Sequence, residues 1–427
     1  MIAAIVSAGV VFVLLLLLLI LRPKDKGAPY SPYFQAIRNA IGVGSQPRAF
    51  VDLDVFALNA KQVLSDSAGK DLRLVSKSFS SIALLQKAME LGKTNKILLF
   101  GTEIASLLLT RLGSGFQGLY GHPIATSAIE QIISTQPQAA AQIIFLVDST
   151  IQLGELIVLA EKYNTPLQIA LDIDVGLHRG GFDEVGDIEK AADMIATNPT
   201  FLLFRGFLGY EGQVTVVPTT FLQELVFKSA MSTFKEKVDV FFARQASLKV
   251  PGLLMSAGGS ISAYMFNKFG IDYVNEISVG SAFTLPSNFD ALASRGYQSA
   301  LFFSSPVIRM RRGKIPFLES LTYVLSWYNV NWKNMFCSMD GKIYNNPISP
   351  AGLSYYPLMD ASDGFSGRQK LVASSDSTHL QLGDSVFFRA EEAGLVAFYP
   401  ELTCVSTPSG SSVPVLGDVL SVDQRTN

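Results

Sequence analysis

The sequence predicts an α/β fold: a TIM-type (β/α)8 barrel, followed by a smaller C-terminal β domain and preceded by a transmembrane helix. Three observations predict it. Short apolar runs alternate with amphipathic stretches from about Ala49 to Gly280, as in a parallel sheet covered by helices. The 427 residues suffice for a barrel of roughly 250 residues and a second domain. A long apolar stretch without charged residues also opens the chain.

That apolar stretch runs from Ile2 to Leu21. At about 1.5 Å per residue it is long enough to cross a hydrocarbon core of about 30 Å. We therefore expect a membrane anchor over residues 1–22. A cleaved signal peptide is the alternative, but the stretch lacks a charged start and a small-residue cleavage site.

Basic residues follow the predicted anchor, whereas only Met1 precedes its apolar run. Arg22, Lys24 and Lys26 lie just beyond it, so the positive-inside rule predicts that the body of the protein is cytoplasmic. The next segment is rich in Gly and Pro between Gly27 and Pro32. We expect residues 23–45 to form a linker.

The barrel is predicted over residues 46–300. Its nine candidate strands are Phe50–Asp54, Leu72–Lys77, Lys96–Gly101, Leu119–Pro123, Ile143–Asp148, Leu167–Asp174, Phe204–Tyr210, Gly252–Ser256 and Tyr273–Gly280. Helical spacing of apolar residues between them, as in Val55–Leu64 and Ser80–Leu91, indicates helices packed on a sheet. A barrel holds eight strands, so one candidate is an edge strand or is wrongly assigned.

The C-terminal domain is predicted over residues 301–427. After about Ser304 the chain changes to short alternating runs separated by Pro, Gly and Ser, for example Asp384–Arg389 and Gly394–Phe398. Such runs are typical of a small β domain.

Composition excludes some functional classes. The formal net charge is −2, which gives no support for binding nucleic acid. The two cysteines, Cys337 and Cys404, are far apart and indicate a reducing compartment. Gly113–Gly118 matches a dinucleotide fingerprint by letters, but it follows a helical pattern and precedes a strand, the reverse of a nucleotide site.

The candidate site residues follow predicted strands. Lys77 ends the second candidate strand, where a barrel enzyme can place an amine that attacks a carbonyl. Taken alone, Lys77 has the alternative of a solvated strand end. Further along the chain, strands are followed by polar or glycine-rich groups in a consistent order: Arg179, Tyr210, Gly258, Gly259, Ser260, Ser278, Gly280 and Ser281. Together they favour a site at one end of the barrel.

The ordered motifs resemble a known family. Phe-Val-Asp-Leu-Asp (50–54), Val-Ser-Lys-Ser (75–78), Asp-Ile-Asp-Val-Gly-x-x-Arg-x-Gly (172–181), Gly-Tyr-Glu-Gly-Gln (209–213) and Ala-Gly-Gly-Ser (257–260) resemble the fold-type III pyridoxal-phosphate enzymes with an alanine-racemase barrel. The set is most similar to the D-threonine aldolase and D-serine dehydratase branch and to bacterial amino acid deaminase/aldolase proteins. It spans about residues 45–405.

The resemblance implies roles for these residues. Lys77 would form a Schiff base with pyridoxal 5′-phosphate, Arg179 would approach the phenolic oxygen of the cofactor, and Tyr210 would pack beside its ring. Ser278 would face the pyridine nitrogen. The phosphate would be held by Gly258, Gly259, Ser260, Gly280 and Ser281. The resemblance also implies a homodimer in which the partner's β domain completes the site.

The metal site of that branch is altered in this chain. Its Pro-x-His-x-Cys/Asp segment matches Pro400–Cys404, with Leu402 in the place of the histidine. Leucine cannot bind a metal, and Cys404 alone supplies too few ligands. We expect no metal site, with Cys404 as a remnant; a displaced ligand at His379 is the alternative.

Two functional hypotheses remain. The first is a membrane-anchored pyridoxal-phosphate-dependent lyase that acts on a D-amino acid or a β-hydroxy amino acid by aldol cleavage or deamination, with amino acid racemisation as a variant. The second is a protein that binds the cofactor without turnover or has a regulatory role, which the loss of the histidine favours.

Overall fold

The protein is described by a computed structural model that covers residues 13, 16–44, 46–314, 317–339, 344–355 and 369–423. Most of the expected membrane anchor lies outside the described residues. Among the residues that are described, no helix combines the length and the apolar character needed to cross a membrane. The α-helices are α1 Pro32–Ile41, α2 Leu53–Asp66, α3 Ile82–Gly92, α4 Thr102–Leu112, α5 Thr126–Thr135, α6 Ala139–Gln142, α7 Thr150–Lys162, α8 Val185–Thr197, α9 Thr220–Arg244, α10 Ala263–Lys268 and α11 Thr322–Tyr328.

The strands fall into two sheets. They are β1 Arg48–Asp52, β2 Asp71–Val75, β3 Lys96–Leu99, β4 Gln117–Tyr120, β5 Ile143–Val147, β6 Leu167–Asp172, β7 Leu202–Gly209, β8 Leu254–Ala257, β9 Glu276–Val279, β10 Leu301–Arg312, β11 Asn334–Met339, β12 Tyr344–Ser349, β13 Ser354–Tyr355, β14 Gln369–Ser374, β15 Ser385–Ala390, β16 Glu401–Ser406 and β17 Val415–Ser421. The chain divides into two compact units.

The first unit is the barrel. It comprises Leu53–Ala300 together with Glu392–Pro400 and Leu420–Asn427. Strands β2 to β9 are parallel and form a closed barrel, in which β9 pairs back with β2 through partners such as Leu72 and Ile277. Eight of the nine candidate strands correspond to these eight strands. The predicted (β/α)8 barrel is confirmed.

A buried polar network fills the barrel at the amino ends of its strands. Arg73 of β2 is fully buried, and its Nε donates to Glu276 Oε1 of β9 at 2.5 Å. Its Nη1 donates to the carbonyl oxygens of Ile97 and Gln117 at 3.2 and 3.1 Å. Each buried charge is therefore paired, as a low-dielectric interior requires. The functional cavity lies at the opposite ends of the strands.

The second unit is the β domain. It comprises Met1–Asp52, Leu301–Glu391 and Glu401–Val419. Its nine-stranded sheet has the order β13-β14-β11-β10-β1-β16-β17, with β15 paired to β10 and β12. The predicted C-terminal β domain is present, but an N-terminal strand also contributes to its sheet.

That strand corrects the assignment of Phe50–Asp54 to the barrel. Residues 48–52 form β1, which pairs antiparallel with β10 and parallel with β16, whereas Asp54 already lies in α2. Phe50 is fully buried and stacks on Phe302 of β10, with ring centroids 5.2 Å apart. The run was assigned to the wrong sheet because an apolar run indicates a strand that is buried on both faces, but it does not indicate which strands pair with it.

The expected linker at residues 23–45 is also corrected, because it contains helix α1. Ser31 caps this helix, since its Oγ accepts from Phe34 N, and Pro32 occupies the first turn. Ser followed by Pro is a helix-start signal. Ile37 and Phe34 then pack into the core of the β domain, where the ring of Phe34 lies 4.8 Å from that of Phe387.

A third correction concerns Gly394–Phe398, which resembled a strand. Residues Ala393–Phe398 form a 3₁₀ helix that belongs to the barrel unit. Position 394 packs so closely that a Cβ atom there would lie 3.3 Å from the carbonyl oxygen of Lys77. The segment therefore lies against the backbone of Lys77, a contact between residues far apart in the sequence.

Candidate active site

All nine sequence-predicted site residues line one cavity of about 1180 Å³. It opens at the carboxyl ends of the barrel strands, where barrel enzymes place their reactive groups. The nine are Lys77, Arg179, Tyr210, Gly258, Gly259, Ser260, Ser278, Gly280 and Ser281. Every lining residue belongs to the barrel unit.

Lys77 lies in a 3₁₀ turn, Ser76–Ser78, directly after β2. Its side chain is open to the cavity, and Nζ lies 4.8 Å from the centroid of the Phe100 ring. Burial of the surrounding site lowers the pKa of the Lys77 amine, the carboxylate of Glu392 opposes this, and Arg179 lowers the pKa further. A lower pKa increases the neutral fraction of the amine, which is the nucleophilic form.

The ring of Tyr210 lies in a slot between two glycines. A Cβ at Gly212 would lie 2.5 Å from Tyr210 Cε1, and one at Gly259 would lie 3.3 Å from Tyr210 Cε2. The guanidinium carbon of Arg179 is 5.3 Å from the ring centroid. Burial, and then the charge of Glu211, raise the pKa of the Tyr210 hydroxyl. Tyr210 therefore offers a neutral hydroxyl and a flat apolar surface.

Glu211 organises the glycine-rich loop after β8. It is almost fully buried; Oε2 accepts from Gly258 N at 3.0 Å, and Oε1 accepts from the Ser262 hydroxyl. Ser262 Oγ in turn accepts from Gly259 N at 2.9 Å. The N–H groups of Gly258 and Gly259, expected to bind an anion, are therefore already engaged. Burial raises the pKa of Glu211.

Other backbone N–H groups beside this loop remain available to bind an anion. Ser260 Oγ accepts from Ala282 N at 3.1 Å and from Gly280 N at 3.4 Å. Within the described part of the chain, no acceptor is bound by the backbone N–H of Ser260, Ile261 or Ser281. The hydroxyls of Ser78 and Ser281, 3.3 Å apart, lie beside them. These groups form a neutral donor set suited to an anion.

Ser278 projects from β9 into the same cavity. Its side chain is 4% exposed, and Oγ has no hydrogen-bond partner among the residues that the structure describes. An unpaired buried hydroxyl is costly unless something in the cavity pairs with it. Ser278 thus faces a position for a polar ligand atom.

Asp172 ends β6 close to the cavity wall. It is buried, and burial raises its pKa from 3.8 to about 7; Arg179 opposes the rise, whereas Asp148 and Asp174 add to it. The carboxyl group is therefore held partly protonated at neutral pH, so the number of charges beside Arg179 depends on pH.

Two residues that the sequence reasoning gave no role are important here. Glu211 was visible only as part of a motif, next to Tyr210. Glu392 lies in the cavity wall and carries the carboxylate that opposes the lowered pKa of Lys77. No spacing or composition signal marks Glu392, because chain folding alone brings it to Lys77.

The remnant metal segment forms part of strand β16. Leu402 is fully buried and lies opposite Ala49 of β1, while burial, and then Asp418, raise the pKa of the Cys404 thiol to about 11. A protonated buried thiol is a poor metal ligand. His379 lies in a left-handed turn after a 3₁₀ helix.

Among the described residues, one group of side chains away from β16 is close enough together to bind a metal ion. It consists of Asp174, His178 and Asp183. Asp174 Oδ2 already bonds His178 Nδ1 at 2.8 Å, and Asp183 pairs with Lys237 at 2.5 Å. Neither Cys404 nor His379 belongs to this cluster.

The geometry agrees with comparisons to known proteins. A family model for the N-terminal domain of alanine racemase matches residues 51–284, more than half of the chain. The chain belongs to this family. A 3-hydroxy-D-aspartate aldolase of Paracoccus denitrificans (strain Pd 1222) is 27% identical over 183 residues, 40% of this chain and 45% of that protein. The match thus spans less than half of that relative's length.

Solved structures share the fold over nearly the whole chain. D-threonine aldolase from Filomicrobium marinum has a TM-score of 0.68 at 15% identity, covering 89% of this chain and 97% of its own. D-threo-3-hydroxyaspartate dehydratase from Delftia sp. HT23 has a TM-score of 0.69 at 15% identity, covering 88% and 97%. At such identities the likeness concerns the fold.

Pyridoxal 5′-phosphate is the cofactor of this family, and the cavity fits it. The N–H groups of Ser260, Ile261 and Ser281 suit its phosphate, and Lys77 supplies an amine with a lowered pKa. The unpaired hydroxyl of Ser278 suits a ring atom. The residues that line the cavity therefore fit this cofactor.

Proposed function

We propose that the protein is a pyridoxal-phosphate-dependent lyase that acts on a D-amino acid with a β-hydroxyl group, by aldol cleavage or deamination. The observation that carries the proposal is the environment of Lys77: an amine with a lowered pKa, open to a cavity that also holds an anion-binding donor set and an unpaired Ser278 hydroxyl. Solvated strand-end lysines do not need such surroundings.

When bound, the cofactor reacts with an amine and withdraws electrons from the bonds at the substrate's Cα. Lys77 is the amine that holds it and that later exchanges a proton at Cα. Arg179 and Tyr210 orient the ring, since the guanidinium and the phenol face each other at 5.3 Å. Ser278 donates or accepts one neutral hydrogen bond, so it places no full positive charge beside the ring. A neutral hydrogen-bond partner limits the withdrawal of electrons into the cofactor ring. This limit favours cleavage of one particular bond at the substrate's Cα over cleavage of several.

Glu392 is the carboxylate that we assign to the substrate's β-hydroxyl. It is exposed to the cavity and lies within electrostatic reach of Lys77. In aldol cleavage it accepts the hydroxyl proton while the Cα–Cβ bond breaks, the aldehyde leaves, and Lys77 returns a proton to Cα. A side-chain base in this position supplies proton transfer without a metal ion.

A cofactor-binding protein without turnover is the second candidate. Leu402 favours it, because a fully buried leucine stands where the related lyases have a metal-binding histidine. The two candidates differ only in turnover.

The test uses the full-length chain in detergent with added pyridoxal phosphate. We expect a visible absorbance band that is lost in Lys77→Ala and kept in the control Lys87→Ala, whose exposed side chain pairs with Glu90. Incubation with D-threonine, D-serine or 3-hydroxy-D-aspartate should release an aldehyde or ammonia. A band without product from any D-amino acid would favour the second candidate, and no band would refute both.

We also propose that residues 1–22 anchor the protein in a membrane with its body in the cytoplasm, and that it forms a homodimer. The apolar run and the basic residues after it support the first proposal. Family membership supports the second. Vesicle flotation of the full-length chain tests the anchor, and light scattering in detergent tests the dimer.

A further inference from the structure

The β domain carries an exposed apolar face on and beside helix α11. Its side chains belong to Phe317, Leu321, Tyr323, Val324 and Trp327; we call this set the Trp327 face. Phe317 and Tyr323 are 90% and 84% exposed, and each of the others is more than half exposed. Tyr323 and Trp327 are four residues apart and thus neighbours on one helix side. A contiguous exposed patch of large apolar residues marks an interaction surface.

The opposite side of the helix explains why the face is left outside. Leu325 and Trp332 pack inward against Ala373 of β14. Because Leu325 and Trp332 already form the contacts between this region and the core of the β domain, the exposed apolar residues are not needed for that core.

Hydrogen bonds connect the end of the apolar N-terminal run to this helix. Tyr328 Oη donates to the carbonyl oxygen of Leu21 at 3.2 Å, and Arg22 Nη2 donates to the carbonyl oxygen of Trp327 at 2.7 Å. The guanidinium of Arg22 also lies 4.8 Å from the centroid of the Trp327 ring. The chain then passes the 3₁₀ helix Val330–Trp332 that follows α11, where the Asn331 side chain bonds the backbone of both Lys24 and Lys26.

The apolar run itself is exposed up to this point. The residues from Leu16 to Leu21 are each between 46% and 69% exposed, and Ile20 is the most exposed of them. Apart from Val13, the part of the run before them lies outside the described residues. A membrane that contains residues 2–21 must therefore extend to Arg22. Arg22 contacts Trp327, so the Trp327 face lies beside the end of the apolar run.

We propose that the Trp327 face rests in the interface of a lipid bilayer, so that the β domain is seated on the membrane surface as well as tethered to it. Trp and Tyr beside basic residues are characteristic of the bilayer–water interface. Arg22, Lys24 and Lys26 supply the positive charge that anionic headgroups attract. The proposal rests on the anchor proposed above.

A second copy of the chain is the competing occupant. It would cover the apolar side chains, but it would leave unexplained why the same helix holds the end of a 20-residue apolar run. Continuity between the run and the Trp327 face favours lipid.

The chain contains two tryptophans, which permit a direct test. The full-length protein is reconstituted into phosphatidylcholine–phosphatidylglycerol vesicles that carry bromine either near the headgroup or near the chain end. Trp332→Phe leaves Trp327 as the single probe, and Trp327→Phe leaves the half-buried Trp332. Because an interfacial side chain lies about 5–10 Å deep, we expect loss of Trp327 emission, stronger with shallow than with deep bromine, and weaker loss for Trp332.

A pair of variants checks that the face itself makes the contact. In the Trp332→Phe background, Tyr323→Ser should reduce the quenching of Trp327 without preventing flotation. The matched control Leu382→Ser changes an apolar residue of the β domain that is 65% exposed elsewhere, and it should change neither.

Each contrary outcome has a distinct meaning. Failure of the chain to float with vesicles would refute the anchor and, with it, this inference. Flotation with Trp327 quenched by aqueous iodide but not by brominated lipid would refute the inference and leave the anchor intact. Protection of Trp327 from both quenchers, together with cross-linking between copies at this helix, would replace lipid by a second copy.

Discussion

Gly280 offers the sharpest test of how the candidate active site is packed. It lies between β9 and a 3₁₀ helix, and an alanine Cβ there would lie 2.5 Å from Ser78 Oγ and 2.8 Å from both Ser78 Cβ and Val75 Cβ. Its backbone φ of −145° lies outside the left-handed region that favours glycine. The prediction for Gly280→Ala therefore rests on these close contacts.

The distances set the size of the effect. A hydroxyl can rotate away, but the two Cβ atoms are fixed to the backbone next to Lys77, so the backbone must move. Overpacking of this kind costs about 1–3 kcal/mol, and we expect about 2 kcal/mol here. The apparent melting temperature should fall by about 4–8 °C. If most of the shift reaches Ser78 and Lys77, cofactor affinity should fall by about tenfold or more.

Thermal melting of the full-length chain, with and without pyridoxal phosphate, and a cofactor titration followed by visible absorbance provide the measurement. Gly186→Ala is the matched control, because a Cβ at this helical position meets nothing within 4 Å; it should leave the affinity unchanged. Ser78→Gly added to Gly280→Ala removes two of the three clashes and should restore part of the melting temperature. Unchanged melting and affinity in Gly280→Ala would refute the packing described for this site.

Three further predictions concern charge. The pKa of Asp172 is about 7 in the folded state against 3.8, so the unfolded chain loses this proton first and stability should fall as pH rises from about 4 to 7; denaturant unfolding across this range should show less loss in Asp172→Asn. Glu392→Gln should lower the pKa of Lys77, because Glu392 opposes its depression; the pH at which the cofactor band forms should move down, with no move in Glu391→Gln. Because Leu402 is buried where a ligand is needed, Mn²⁺ or Zn²⁺ should not increase turnover; strong activation would contradict this.

The barrel and most of its cavity could be predicted from sequence because they depend on local signals. Buried parallel strands are apolar runs, and their polar ends mark the side on which reactive groups lie. Lys77, Arg179 and Tyr210 each follow such a run, and the structure brings them to one cavity. Gly258 and Gly259 also line it, but their N–H groups proved to be engaged by Glu211 and Ser262.

The wrong predictions concern segments whose structure depends on the residues that they pack against. Phe50 is as apolar as a barrel strand requires, yet it stacks on Phe302 in the other sheet. Helix α1 was taken for a linker, although Ser31 and Pro32 signalled its start. The segment after Glu392 resembled a strand but became a 3₁₀ helix beside Lys77.

The (β/α)8 barrel, the β domain and the residue types of the site could be predicted from the chain alone, because periodicity and strand-end chemistry are local properties. Three features required the folded structure: the donors that are free for an anion, the carboxylate that acts on Lys77, and the helix that contacts the end of the apolar run. These features depend on contacts between residues far apart in the chain. The folded chain decides which buried polar groups find a partner, and within the part that the structure describes the Ser278 hydroxyl finds none.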